Sequence, residues 1–321
     1  MTQSQRAIEQ RALGRLSVSV IGIGGNNFGQ RFGADQTREV VLSALECGIN
    51  FFDTSDSYGD GASEECLGYA LRDHRDEAIV ATKYDGAPDT VREHCLASLS
   101  RLNMEVIDLY QIHRPYLEAP LEETLGALGE LVSEGIVREI GCSNFGVAQL
   151  KEARSLTREG HVGFVCVQND YNLLNRKQEL DVIPYCDANN IAFHAYFPLY
   201  HGLLTGKFCR NETPPTGTRL ANASEARREA VFSEGNFDIV ERLIALAERH
   251  GTTLLDLAIS RLIHVSGVSS VITGAMWPDQ VRANARAAKC QFDEELYREI
   301  DAIAPTCADA RDTPSAARGI A

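Results

Sequence analysis

Asp53, Tyr58, Lys83 and His113 are a carboxylate, a phenol, an amine and an imidazole, and Asp53, Lys83 and His113 recur at a constant interval. An isolated phenol has a pKa of about 10, too high for easy proton exchange at neutral pH. A neighbouring ammonium favours the phenolate and lowers that value. Lys83 would supply the ammonium, and Asp53 would keep it protonated and aimed. His113 would donate a hydrogen bond to a substrate oxygen. These residue types make a general acid beside a polarised carbonyl, which suits reduction of an aldehyde or ketone to the alcohol. Side chains supply no hydride, so a nicotinamide cofactor is implied. Each residue also has an ordinary reading: a capping Asp, a surface Tyr, a Lys at a strand end, a satisfied core His. Asp56 is an alternative acid.

The elements that carry these residues explain the interval. Ile49 to Phe52 reads as a short buried strand ending at Asp53, Ala78 to Thr82 as one ending at Lys83, and Val106 to Ile112 as one ending at His113. Gly135 to Cys142 ends at Ser143 and Asn144. One amphipathic helix pattern fits in each interval, the mark of consecutive strand–helix units in a parallel sheet. A (β/α)8 TIM barrel places its chemistry at the C-terminal ends of several strands at once. The other strands are expected at Val18 to Ile23, Phe164 to Val167, Ile191 to Ala195 and Val268 to Ile272, with Ala12 to Ser17 as a lead-in. Helices are expected at Gln36 to Glu46, from Ser63 as N-cap, at Asp89 to Arg101, from Pro120, and at Val147 to Thr157, Lys177 to Ala188 and Pro278 to Ala288. From Phe197 to about Gly235 no helix pattern is clear, and loops this long are usually functional. Asn236 would cap the next helix. Thr253 and Asp256 form a capping-box pattern before an extra helix ahead of strand eight. The chain reads as a single domain over residues 1–321, with a core at about 12–288 and a C-terminal tail at 289–321.

Other strand ends carry groups for a cofactor. Ser143, Asn144 and Gln168 have hydroxyl and amide groups suited to a nicotinamide carboxamide, and Tyr196 offers a flat ring for stacking. The loops after strands seven and eight, the usual barrel site for phosphate, hold Lys207 and Gly274. Two competing motifs fail. Gly22 and Gly24 begin a G-x-G-x-x-G pattern, but Asn27 stands at its third glycine. The stretch ending Gly206-Lys207 has His201 and Phe208 where a phosphate-binding loop needs Gly and Ser or Thr. The Gly24-Gly25-Asn26-Asn27-Phe28-Gly29 run reads as a tight loop at a barrel mouth.

Composition narrows the class. Of 321 residues, 44% are hydrophobic and 24% charged, as in ordinary globular proteins. A net charge of −14 and a pI near 5.1 leave no basic stripe for nucleic acid. No apolar run approaches the roughly 20 residues that span a bilayer, and the polar first ten residues do not read as a signal peptide. Nine cysteines without a C-x-x-C pair give neither a zinc pattern nor a disulfide framework. They fit a reducing cytoplasm, and a cysteine nucleophile is the less favoured alternative.

Taken in order, Phe52-Asp53-Thr54, Tyr58-Gly59, Ala81-Thr82-Lys83, Asp108 to His113, Gly141 to Phe145, Gln168 with Tyr171-Asn172, Pro198-Leu199 and Gly202 to Lys207 make the chain resemble the aldo-keto reductases from about residue 12 to 288. The resemblance implies an NAD(P)H-dependent barrel with Asp53, Tyr58, Lys83 and His113 as catalytic tetrad and Tyr58 as proton donor. It implies that Ser143, Asn144 and Gln168 hold the carboxamide and that Tyr196 stacks on the nicotinamide. Leu199, His201 and Lys207 would follow the diphosphate, and Gly274, Gln280 and Asn284 the adenosine. Three departures stand out. No basic residue lies near Met276-Trp277 to grip a 2′-phosphate, Arg282 being the nearest. Ala283 replaces a common Glu, and Tyr200 and His201 are bulky where small residues are common. NADPH is expected, with NADH possible. No metal is expected. Asn26, Phe28, Tyr84, Arg114, Tyr116 and the long loop would line the mouth, a mix compatible with a keto-sugar or other hydroxylated small-molecule carbonyl. The alternatives are a cofactor-binding regulatory or scaffold protein with vestigial activity and an NAD-dependent alcohol or sugar dehydrogenase. Oligomeric state is left open.

Overall fold

A computed structural model describes residues 7–158, 161–221 and 223–306. Eight parallel strands close into a barrel: β3 (Ile21–Gly24), β4 (Phe51–Asp53), β5 (Ile79–Tyr84), β6 (Ile107–Ile112), β7 (Val137–Ser143), β8 (Cys166–Asp170), β9 (Ala192–Tyr196) and β10 (Val268–Thr273), with β10 joining β3. The (β/α)8 expectation is met. The lead-in is more ordered than its sequence suggests. β1 (Gln10–Leu13) and β2 (Leu16–Ser19) form an antiparallel hairpin. The expected first strand, 18–23, is therefore split: Val18 and Ser19 belong to the hairpin. Gly14 turns the hairpin at φ +56°, a conformation that glycine adopts without strain. Leu13 and Val18 cluster with Phe51, Ala81, Leu109, Cys166, Ala192 and Ile272. The hairpin thus joins strand residues in a closed apolar plug.

Helices α1 (Ala34–Glu46), α2 (Ala62–Leu71), α3 (Val91–Leu102), α4 (Leu121–Ser133), α5 (Val147–Arg158) and α6 (Val182–Ala188) follow β3 to β8. Ser63 is not the N-cap of α2; Gly61 is, and the Ser63 hydroxyl is used elsewhere. The expected sixth helix is a 3-10 turn at Lys177–Glu179 followed by α6, which starts at an Asp181 cap.

After β9 the chain is less irregular than expected. Tyr200–Thr205 holds two short 3-10 pieces joined by a kink at His201 and Gly202, and α7 (Glu225–Val231) starts from a Ser224 side-chain cap. α7 is short and buries only Val231, so it leaves no periodic signal. α8 (Glu234–Arg249) is capped by Ser233; the Asn236 amide donates instead to the Ala230 and Val231 carbonyls. α9 (Leu254–His264) carries the expected capping box of Thr253 and Asp256. It is apolar almost all round and packs on β10 and α10 (Pro278–Ala288), so it belongs to the barrel ring. The extra helix is α8, with one apolar face. Its partner is α11 (Glu294–Ile303), which the sequence left within the tail.

Candidate active site

Asp53 ends β4, and in the β4–β5 register it stands opposite Ala81. Lys83, two residues further along β5, returns to the same face of the sheet. That register brings the pair together. Lys83 Nζ donates to Asp53 Oδ2 at 2.6 Å and to the Thr54 carbonyl at 2.8 Å, and both side chains are buried. Asp53 Oδ1 accepts from Gln168 Nε2 at 2.8 Å and Gln111 Nε2 at 3.2 Å. A buried ion pair is sustained when its remaining hydrogen-bonding positions are filled, and both carboxylate oxygens are filled here. Burial disfavours the Lys83 ammonium, but Asp53 and then Tyr58 outweigh burial and raise its pKa.

Tyr58 lies in the turn after β4. Its amide donates to the Ser55 carbonyl, and its carbonyl accepts from the Ser63 amide. Ser63 Oγ ties the turn down, 2.7 Å from Thr54 Oγ1 and donating to the Gly25 carbonyl at 2.8 Å. Gly61 sits at φ +91°, where a Cβ would also meet Arg101 at 2.4 Å, so the turn requires glycine there. The Lys83 ammonium lies 5.2 Å from the Tyr58 ring centre, with the hydroxyl within its reach. The expectation of a lowered phenol pKa is corrected. Burial pushes it up, Lys83 pulls it down by less, Asp53 adds to the rise, and the pKa ends above its usual value. Tyr58 therefore keeps its proton at neutral pH, as an acid must.

His113 directly follows β6, its amide donating to the Tyr84 carbonyl at 2.8 Å. Burial, aided by the Lys83 and Arg114 charges, pulls its pKa down to about 3, so the ring is neutral. It meets the Tyr58 ring edge-on with centres 5.9 Å apart. The structure thus brings Asp53, Tyr58, Lys83 and His113 into one group.

The expected carboxamide group is also assembled, and it is bonded within itself. Ser143 Oγ donates to the Gln168 carbonyl at 2.8 Å. Asn144 Nδ2 donates to the His113 carbonyl at 2.9 Å, and Asn144 Oδ1 accepts from the Tyr196 hydroxyl at 2.7 Å. Gln168 has its nitrogen on Asp53, which leaves Oε1 as its open end.

Beyond β9, Phe197, Tyr200 and His201 all take positive φ, at +52°, +42° and +57°. Such conformations cost bulky residues roughly 1–3 kcal/mol each and cluster at functional sites. Leu199 begins the 3-10 turn. His201 Nδ1 is buried without a hydrogen-bond partner among the described residues. Lys207 ends this segment with no carboxylate partner among the described residues, and loss of solvent lowers its pKa. At the other end of the expected cofactor path, Gly274 is exposed. Gln280 Oε1 accepts from the Met276 amide at 2.7 Å, and buried Asn284 Nδ2 has no partner among the described residues.

Two mouth residues are corrected. Phe28 and Tyr84 are buried, Phe28 packed on Phe32 and Tyr84 stacked on Tyr110. Both side chains belong to the hydrophobic core rather than to the mouth. Asn26, Arg114 and Tyr116 are partly exposed. Arg114 pairs with Asp85 at 2.8 Å, and the Tyr116 hydroxyl donates to Glu118 at 3.2 Å.

Sequence reasoning missed Gln111, whose inward position, two residues from Leu109 on β6, could have marked it. It also missed Arg219, which sits in a segment without periodicity. Arg219 Nη2 donates to Asn26 Oδ1 at 2.9 Å, and its guanidinium lies 5.2 Å from the Phe197 ring centre. Burial, with Arg31 and Arg227 nearby, pulls its pKa down to about 10.

Residues 20–305 match the Aldo/keto reductase family. The NADH-specific methylglyoxal reductase of Escherichia coli is 32% identical, covering 90% of this chain and 94% of that protein. A probable voltage-gated potassium channel subunit beta of Oryza sativa subsp. japonica is 30% identical, covering 92% and 96%. The solved holo form of an aldo-keto reductase from Bacillus halodurans superposes with a TM-score of 0.77 at 26% identity, covering 94% and 97%.

Proposed function

The chain belongs to the aldo/keto reductase family and is a nicotinamide-dependent oxidoreductase that reduces carbonyl groups, and from that premise we propose that Tyr58 gives the proton to a small hydroxylated aldehyde or ketone. The observation that carries this reading is Lys83, which holds Asp53 at 2.6 Å and lies beside the Tyr58 ring. When bound, the nicotinamide supplies the hydride. His113, neutral and part-exposed, donates to the carbonyl oxygen. Tyr58 transfers its hydroxyl proton to that same oxygen, and the Lys83 ammonium stabilises the phenolate left behind. Asp53 holds Lys83 charged and in place throughout. Gln111 and Gln168 fix the carboxylate.

The residues present fit a nicotinamide dinucleotide. Buried polar atoms are nearly always paired, and His201 Nδ1 and Asn284 Nδ2, without partners among the described residues, occur where the diphosphate and the adenosine are expected. Lys207 and Arg219 would take the diphosphate, with the Leu199 turn beneath it. Ser143, Asn144 and Gln168 Oε1 would take the carboxamide, Tyr196 the ring, and Gly274, Gln280 and Asn284 the adenosine. Arg282, the nearest cation for a 2′-phosphate, is already bound to Asp279 at 2.7 Å and donates to Ser43 at 3.3 Å. With that cation engaged, the expected preference for NADPH is weak, less than about tenfold in Kd or about 1.4 kcal/mol.

None of the eight described cysteines forms a disulfide among the described residues, which supports a cytoplasmic protein; the barrel would be its one domain. No helix among the described residues is long and apolar enough to cross a membrane. The test is NADPH and NADH oxidation by the purified protein across a panel of aldehydes, ketones and hydroxylated carbonyls. Turnover supports the reading. Tight dinucleotide binding without turnover would support a regulatory role instead, a reading favoured by the channel-subunit relative.

A further inference from the structure

His113 is neutral and carries one ring proton, and the nitrogen that holds it decides whether the open side of the ring donates or accepts. Nδ1 has two protein neighbours, Ser55 Oγ at 3.1 Å and Ser57 Oγ at 3.5 Å. Nε2 has no hydrogen-bond partner among the described residues. Ser55 is fully buried. Its oxygen accepts from the Ser57 amide at 3.3 Å and lies 3.0 Å from Ser57 Oγ.

A hydroxyl has two lone pairs and one hydrogen. The bond between the Ser55 and Ser57 hydroxyls can run either way; with the Ser57 amide on one lone pair and the Ser57 hydroxyl donating to the other, the Ser55 hydrogen has three further acceptors in reach. They are His113 Nδ1 at 3.1 Å, the Lys83 carbonyl at 3.3 Å and Asp56 Oδ1 at 3.3 Å. The Lys83 carbonyl already accepts from the Asp56 amide at 3.1 Å. The Asp56 carboxylate is engaged by His94 Nδ1 at 2.7 Å through its other oxygen. Nδ1 is the closest of the three, and its one other neighbour among the described residues is the more distant Ser57 hydroxyl at 3.5 Å.

We infer that Ser55 is a positioning residue that donates its hydroxyl proton to His113 Nδ1 and so holds the imidazole in the Nε2–H tautomer. In that form the open nitrogen presents a donor to a carbonyl oxygen; in the other it presents a lone pair and repels it. The inference rests on the carbonyl-reducing reading of the site. It is separable from it, because the tautomer exists whether or not the protein turns over.

The experiment is a two-bond proton–nitrogen correlation spectrum of the uniformly nitrogen-15-labelled full chain at neutral pH. The His113 signals are assigned by their loss in His113→Gln. The expected result is a protonated, pyrrole-type Nε2 and a bare, pyridine-type Nδ1 in the wild type. Ser55→Ala should mix or invert the pattern and lower kcat about tenfold, about 1.4 kcal/mol of barrel-site stabilisation in rate terms, with dinucleotide Kd within about twofold. A wild-type ring protonated at Nδ1 overturns the inference, as does an unchanged tautomer in Ser55→Ala. If Ser55→Ala does not fold, the wild-type spectrum decides alone. An Nε2–H ring in a protein that reduces no carbonyl would sink the functional reading and leave the positioning role standing.

Discussion

Lys83 Nζ and Asp53 Oδ2 lie 2.6 Å apart with both side chains closed off from solvent. Removing one partner of a buried pair leaves an uncompensated charge and costs about 3–5 kcal/mol. Asp53→Asn should therefore destabilise the fold by about that much in denaturant unfolding. Combining it with Lys83→Met should regain most of the loss, because the stranded ammonium is gone. Both variants should be inactive. Additive destabilisation in the double variant would mean that the two side chains are not coupled.

The pH profile follows from two groups. The Tyr58 acid must be protonated, and its pKa is raised above the usual phenol value by burial. The His113 ring must be neutral, and its pKa is about 3. Carbonyl reduction should be flat in kcat/KM through the neutral range. It should fall only on the alkaline side, as Tyr58 loses its proton at a pH above that of a free phenol. Steady-state rates across pH with a saturating dinucleotide check this. An alkaline limb centred near neutrality would identify a different acid.

Lys207 and Arg219 supply positive charge to a chain whose net charge is −14. Charge-assisted hydrogen bonds contribute about 1.5–3 kcal/mol, so Lys207→Met should weaken dinucleotide binding by roughly 10- to 100-fold in Kd. The readout is Trp277, the chain's single tryptophan, which is 52% exposed at the start of α10 beside the expected adenosine end. Its fluorescence should change on titration with either dinucleotide. An unchanged signal at saturation, or an unchanged Kd in Lys207→Met, would move the cofactor away from these residues.

The strand ends were the most legible part of the sequence, because a parallel barrel repeats one strand and one helix at a near-constant interval. Asp53, Lys83, His113 and Ser143 could be placed from spacing and residue type alone. What spacing does not carry is the competition between burial and charge. The ammonium beside Tyr58 was visible in the sequence, but the burial that outweighs it was not. The hairpin of β1 and β2 was hidden because Val18 to Ile23 runs as one apolar stretch across two strands. α7 was hidden by its length, and α8 and α9 traded roles because apolar periodicity does not say which helix touches the sheet. Phe28 and Tyr84 show the same limit: an aromatic residue near a loop reads as a rim residue until its burial is known. Gln111 and Arg219 act through partners far away in sequence, Asp53 and Asn26, which no local pattern reports.

The most direct test of the central claim, that Tyr58 is the proton donor, is the single-turnover rate of carbonyl reduction by Tyr58→Phe with dinucleotide and substrate saturating. Phenylalanine keeps the ring and removes the hydroxyl. The rate should fall by about 10²- to 10⁴-fold, the usual contribution of a general acid, while dinucleotide affinity is retained. A Tyr58→Phe enzyme that turns over at the wild-type rate would contradict the account.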